Sequence, residues 1–150
     1  MKNFSLFILS SLLLVSCYGP EVDYSEANDQ EIQDYLEAND LEATKTESGL
    51  YYHIDQQGEG PNATLTSTVK VTYLEYGTDG TIYTDQTKGP VILDLEFFPI
   101  EGFSEGLSYF NKGSSGTLYI PAALAYGDRN VGNIPKGAVL IYDVDLIDIL

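Results

Sequence analysis

Basic residues are scarce in this chain: seven lysines and arginines stand against 23 aspartates and glutamates, for a formal net charge of −16. No run of them offers a docking stripe, and a phosphate backbone would be repelled, so nucleic acid is excluded as a natural partner. Strong acidity keeps the molecule soluble and biases it toward neutral or basic partners. The only cysteine is Cys17, which rules out an internal disulfide, and the ligand spacings of a zinc site are missing. The only histidine, His53, precedes Ser104. Gly102-Phe103-Ser104-Glu105-Gly106 matches Gly-x-Ser-x-Gly literally, but a hydrolase elbow needs a strand leading into the serine and a histidine later in the chain. His53 therefore reads as structural or exposed. Carboxylates are so abundant that a pair of them identifies no glycosidase without geometry.

Long hydrophobic runs are also missing after residue 15. The one apolar stretch, Leu6 to Val15 behind Lys2, is too short for a bilayer core of ~30 Å but has the length of a secretory h-region. It leads into Leu14-Val15-Ser16-Cys17, which resembles a bacterial lipobox. On that reading residues 1–16 are a removed lipoprotein signal peptide, and Cys17 is the lipidated N-terminus that ties the protein to a membrane surface. The alternative is an ordinary signal peptide with an incidental cysteine.

What is present fits one core, since 150 residues with 43% in the hydrophobic class rarely build two. Residues 17–48 read as a tether, Tyr18 to Gln30, and an acidic helical extension. Ser25 or Asn28 is the expected cap of a helix running to about Leu41, with Ile32, Tyr35 and Leu36 on one face for packing. From residue 49 the pattern turns to short β-like runs: Leu50–Asp55, Thr68–Tyr76, Thr81–Thr84, Val91–Leu95, Thr117–Ile120 and Ala138–Ile149. Gly58-Glu59-Gly60-Pro61 reads as a turn closing the first, and Thr78-Asp79-Gly80 as a hairpin turn. Alternation puts Val69, Val71 and Tyr73 on one side of their strand. In the last strand Leu140, Tyr142, Val144 and Leu146 share a face, with Asp143 and Asp145 as solvated charges opposite. Phe103, Leu107 and Phe110 predict one short helix within Glu101–Phe110, ended by Gly113. One helix against a twisted antiparallel sheet is an α+β layout.

The order of the pieces is more specific than any one of them. Val71-Thr72-Tyr73 precedes the Asp-Gly hairpin. Then come Ile100-Glu101-Gly102-Phe103-Ser104-Glu105-Gly106-Leu107, Ile120-Pro121, Leu124-Ala125-Tyr126-Gly127, Ile134-Pro135 and Leu140-Ile141-Tyr142-Asp143-Val144-Asp145-Leu146. Over about Gly49 to Leu150, some two-thirds of the sequence, this resembles the FKBP-type peptidyl-prolyl cis/trans isomerases. The acidic helix and the Glu47-Ser48-Gly49-Leu50-Tyr51-Tyr52 segment further resemble lipoprotein isomerases of Bacteroidetes, including a subgroup associated with gliding motility.

The resemblance implies a sheet wrapped around a short helix over residues 49–150, and a chemistry that needs no nucleophile, metal or cofactor. It implies that Phe103 is the floor of a prolyl pocket, where many relatives carry tryptophan. Tyr73, Tyr83 and Tyr142 become aromatic walls, and Val91 and Ile134 aliphatic ones. Pro99 and Ile100 open the short helix, with the Ile100 N–H meant for one substrate carbonyl and the Tyr126 hydroxyl for another. Without it, Tyr73, Phe103 and Tyr142 would be core aromatics of a small β-rich domain. Several positions depart from the family pattern. Tyr83-Thr84 stands where active relatives have Phe-Asp, although Asp85 follows, and Lys88 is only an approximate match to the aspartate's usual basic partner. The loop after Tyr126 is shorter, Val131 lies near where relatives often carry histidine, and Phe98 sits at a commonly polar position. Two functions follow: an envelope-anchored isomerase acting on proline-containing segments of exported proteins, or a noncatalytic peptide-binding or chaperone module of the same fold. Thr84→Asp would raise turnover if a missing carboxylate limits the pocket.

Overall fold

A computed structural model describes residues 22–150; Cys17 and the signal-like stretch lie outside the described residues. Helix α1 spans Ser25–Ala38, so the second half of the expected tether is helical. Its sequence contains no glycine or proline and turns Ile32 and Leu36 inward. Neither Ser25 nor Asn28 caps it: the Asp23 carboxylate accepts the Ser25 N–H at 2.9 Å, and Asn28 is buried against the domain. The helix ends before Leu41 because Asn39 donates its side-chain amide to the Tyr35 carbonyl at 2.7 Å and Asp40 turns left-handed at φ 54°.

Nine strands follow: β1 (Thr44–Lys45), β2 (Tyr51–Gln56), β3 (Glu59–Asn62), β4 (Thr68–Gly77), β5 (Ile82–Asp85), β6 (Val91–Asp94), β7 (Asn111–Lys112), β8 (Ser115–Ile120) and β9 (Leu140–Ile149). The main sheet is antiparallel in the order β1-β2-β8-β9-β4-β5, with β6 sharing the β4 edge beside β5. The two ten-residue strands β4 and β9 form its centre. Their alternation is the one read from the sequence, apolar side chains inward and Asp143 and Asp145 outward. Those two carboxylates accept hydroxyls on the open face, Asp143 from Thr117 at 2.9 Å and Asp145 from Thr72 at 3.2 Å.

Gly58-Glu59-Gly60-Pro61 is not simply a turn. Glu59–Asn62 pairs with β7 as a separate two-stranded ladder, fully exposed and so without an alternation to read. Helix α2 covers Glu101–Leu107 and stops well before Gly113, which instead takes φ 88° in the turn between β7 and β8. Gly102 and Gly106 face β8, where a Cβ would lie 2.4 Å from Ile120 Cγ2 and 2.5 Å from Leu118 Cδ1, respectively. Only glycine lets α2 lie this close to the sheet. Its Phe103 and Leu107 then fill the main core with Val69, Val71, Leu118 and Tyr142. Part of the opposite face is covered by α1, whose Ile32 and Leu36 pack on Tyr51, Tyr119, Val139 and Ile141. Among the described residues no helix is long and apolar enough to cross a membrane.

Candidate active site

The close approach of α2 brings Phe103, fully buried, under the centre of the sheet. Around it the rings interlock: Phe103 meets Tyr142 at 5.0 Å between centroids, Tyr73 at 5.7 Å and Phe98 at 4.6 Å, and Tyr73 meets Tyr142 at 5.6 Å. Edge and tilted contacts of this kind add to plain burial, because the positive edge of one ring faces the negative face of the next. Phe98, a departure from the family pattern, thus widens the aromatic cluster. Tyr73, Tyr83, Val91 and Tyr126 are half-buried and pack against the same core, to which Ile100 and Ile134 belong. Pro99 is exposed just ahead of Ile100.

A bulge explains how β5 serves this cluster. Glu75 pairs with Thr84 but Tyr76 pairs with Ile82, so Tyr83 is an extra residue on its strand. The kink lets Tyr83 pack on the core while its neighbour Thr84 still reaches across to β4. There it meets a side chain the sequence reading did not single out. Glu75, 5% exposed, accepts the Thr84 hydroxyl at 2.6 Å and the Tyr142 hydroxyl at 2.8 Å. The signal was available: continuing the alternation of Val69, Val71 and Tyr73 by two residues lands Glu75 on the buried face.

The carboxylate conditions its surroundings. Burial pushes the Tyr142 hydroxyl far above the ordinary tyrosine range, and the charge of Glu75 pushes it further. Tyr73 and Tyr126 are raised by the same two causes in the same order, and Tyr83 by burial, Asp79 and then Glu75. All four remain protonated donors at physiological pH. Of the four, only Tyr142 uses its hydroxyl inside the protein; those of Tyr73, Tyr83 and Tyr126 donate to no side chain or backbone group among the described residues. The backbone N–H of Ile100 likewise has no acceptor there.

Tyr126 is held by its loop. The Gly127 N–H reaches the Ala122 carbonyl and the Gly137 N–H reaches the Gly127 carbonyl, each at 2.8 Å. Val131 and Ile134 exchange backbone bonds in a tight turn that folds Ile134 inward. Asp85 does not replace the missing aspartate: it points outward and accepts the Thr87 hydroxyl at 2.6 Å. Ser104 is no nucleophile either, being buried with its hydroxyl given to the Leu95 carbonyl at 2.8 Å, while His53 lies half-exposed on β2 beside Asp55.

Comparison with known proteins gives this arrangement its family. Residues 60–147 match the sequence profile of the FKBP-type peptidyl-prolyl cis-trans isomerases. The chain belongs to that family. It is 38% identical over 126 residues to the FKBP-type isomerase FkpA of Aeromonas hydrophila, an alignment covering 81% of this chain and 47% of that protein. Against the 22 kDa FKBP-type isomerase of Escherichia coli it is 35% identical over 123 residues, covering 77% of this chain and 58% of the relative. The crystal structure of FkpA from Escherichia coli superposes with a TM-score of 0.73 at 30% identity, over 83% of this chain and 60% of that one. AtFKBP13 superposes with a TM-score of 0.67 at 26% identity, over 73% of this chain and 100% of its own. The chain spans about half the length of the FkpA relatives it matches. The protein has the expected FKBP-type fold, a sheet on a short helix with a helix before it.

Proposed function

We propose that the protein is a peptidyl-prolyl cis/trans isomerase whose prolyl site is the aromatic cluster over Phe103. Twisting an X-Pro amide forfeits resonance and faces a barrier of ~18–20 kcal/mol. A catalyst lowers it by binding the twisted amide better than either planar form. The planar amide is the more polar and the better hydrated, so an apolar site that excludes water disfavours it most. Phe103 supplies such a floor, with Tyr73, Tyr83 and Tyr142 as aromatic walls and Val91 and Ile134 as aliphatic ones. The free Ile100 N–H and the Tyr126 hydroxyl are the donors that would hold the substrate's carbonyls on either side. The observation that carries this reading is the set of unpartnered donors at Tyr73, Tyr126 and Ile100 around a fully buried Phe103. No reacting atom is handled, so no nucleophile is required.

The setting we infer is the cell envelope, with Cys17 lipidated and proline-containing segments of exported proteins as substrates; any further partners there would be other envelope proteins or gliding-machinery proteins. The lipobox-like Leu14-Val15-Ser16-Cys17 and the helical extension before the domain support this. Cys17→Ala is expected to move the protein from the membrane to the soluble fraction. For the activity, a protease-coupled assay on a short X-Pro peptide decides between isomerase and binding module. Turnover proportional to enzyme concentration is expected; turnover at background with peptide binding retained would leave only the module.

A further inference from the structure

Glu75, Thr84 and Tyr142 form one transverse row across β5, β4 and β9, since Glu75 is in register with both of the others. Cross-strand partners project to the same face of a sheet, so the row's three polar groups meet beneath the aromatic cluster. Glu75 is buried, and among the described residues no lysine, arginine or histidine pairs with it. Placing a carboxylate there without a cation is costly, and an apolar side chain would hold the sheet more cheaply. Its compensation is two short hydrogen bonds from hydroxyls, of the charge-assisted kind. Both donors belong to residues of the prolyl site or next to it. Tyr142 is a wall in contact with Phe103 and Tyr73, and its side chain cannot swing away from them without breaking the bond to Glu75.

We infer that Glu75 is the working carboxylate of the prolyl site, supplied from β4 in place of the acid that the family resemblance expects at position 84. It acts as a positioning residue: one oxygen fixes the Tyr142 ring against Phe103 and the other fixes Thr84 at the bulge beside Tyr83. This rests on the isomerase reading above. It also reverses the sign of one expectation from sequence. Thr84→Asp would set a second carboxylate against Glu75, in the place of a hydroxyl now 2.6 Å away. Two carboxylates at that distance, one buried and one half-buried, repel, and one must take up a proton or swing out.

The test is a carboxylate relocation, read as kcat/KM on an X-Pro peptide alongside the thermal midpoint of each variant. Glu75→Gln keeps the shape and both contacts, because its amide oxygen accepts from Tyr142 and its amide nitrogen donates to Thr84; only the charge is lost. It is expected to lose about tenfold or more in kcat/KM, the scale of a hydrogen bond to a charged group. Thr84→Asp alone is expected to fall below wild type. Combined, Glu75→Gln/Thr84→Asp moves the acid one strand over and is expected to recover activity above either single variant, which a merely structural Glu75 would not produce. Wild-type kcat/KM in Glu75→Gln, or no recovery in a double variant with a wild-type thermal midpoint, overturns the assignment while the isomerase reading stands. Wild-type turnover at background defeats the isomerase reading itself. Should Glu75→Gln unfold at the assay temperature, Tyr142→Phe serves in its place. It leaves Glu75 its charge and removes the bond, and undiminished activity there overturns the positioning role.

Discussion

Glu75 and Asn28 are polar side chains buried on opposite faces of the sheet, and the two are held in different ways. On the Phe103 face, Glu75 is satisfied by side-chain hydroxyls from neighbouring strands of the same sheet. On the α1 face, Asn28 is satisfied by backbone: its Oδ1 accepts the Ala122 N–H at 2.8 Å and its Nδ2 donates to the Gly137 carbonyl at 3.0 Å. Side-chain partners let Glu75 adjust rings without moving the chain, whereas backbone partners make Asn28 a fixture of the chain's path. Ala122 and Gly137 bracket the loop that carries Tyr126 and Ile134. The N-terminal helix therefore pins both ends of a loop that serves the other face, and Tyr24 adds a bond to Asp128 within that loop at 2.8 Å. The extension is part of the site's support rather than an ornament on it.

The strongest way to break the comparison is from the Phe103 side. Phe103→Ala empties the centre of the main core and is expected to cost ~3–5 kcal/mol of stability, with isomerase activity lost. Denaturant unfolding measured beside turnover separates the two effects. Asn28→Ala comes next, leaving the buried Ala122 N–H unpaired at roughly 1–3 kcal/mol and the part-buried Gly137 carbonyl unpaired at less. Its distinguishing mark is where the damage falls: amide exchange is expected to quicken across residues 122–137 while β4 and β9 stay protected. Uniform quickening would mean that Asn28 only contributes to global stability. Tyr126→Phe is smaller again, removing one hydroxyl that bonds nothing in the free protein; stability should be unchanged and kcat/KM should fall a few-fold, the worth of a neutral hydrogen bond of ~0.5–1.5 kcal/mol.

Phe103, Glu75 and Asn28 also mark how far the sequence could be read. The place of Phe103 in the core was legible, because a large aromatic on the apolar stripe of a short helix has few alternatives, and strand alternation located β4 and β9 within two residues. Glu75 was legible in principle, through the same alternation carried one step further. The bulge at Tyr83 was not, since nothing local distinguishes an extra strand residue from a paired one. Asn28 could not be read at all: a residue near a helix start looks like a cap, and its partners lie 94 and 109 residues away. Contacts of that separation are decided by packing, which leaves no periodic trace.

Acid sharpens the comparison most gently. On the α1 face, Asp29 accepts the Tyr51 hydroxyl at 2.7 Å and a Gln33 amide hydrogen at 2.9 Å, and it pairs with Lys45. Lys45 first, then Tyr51, hold its carboxyl below the ordinary value of 3.8. A carboxylate whose pKa is depressed by folding contributes stability that is complete above its unfolded pKa and is lost as pH falls through the folded one. The contribution thus survives from neutral pH to about 4 and fades below it. Total stability will not reveal this, because protonating an acidic chain also relieves its self-repulsion. The difference between wild type and Asp29→Asn removes that common background. It is expected to be constant and modest from pH 7 to about pH 4, since the pair is partly exposed, and to shrink toward zero below. A difference that persists undiminished well below pH 3 would mean that Asp29 anchors α1 by shape rather than by charge.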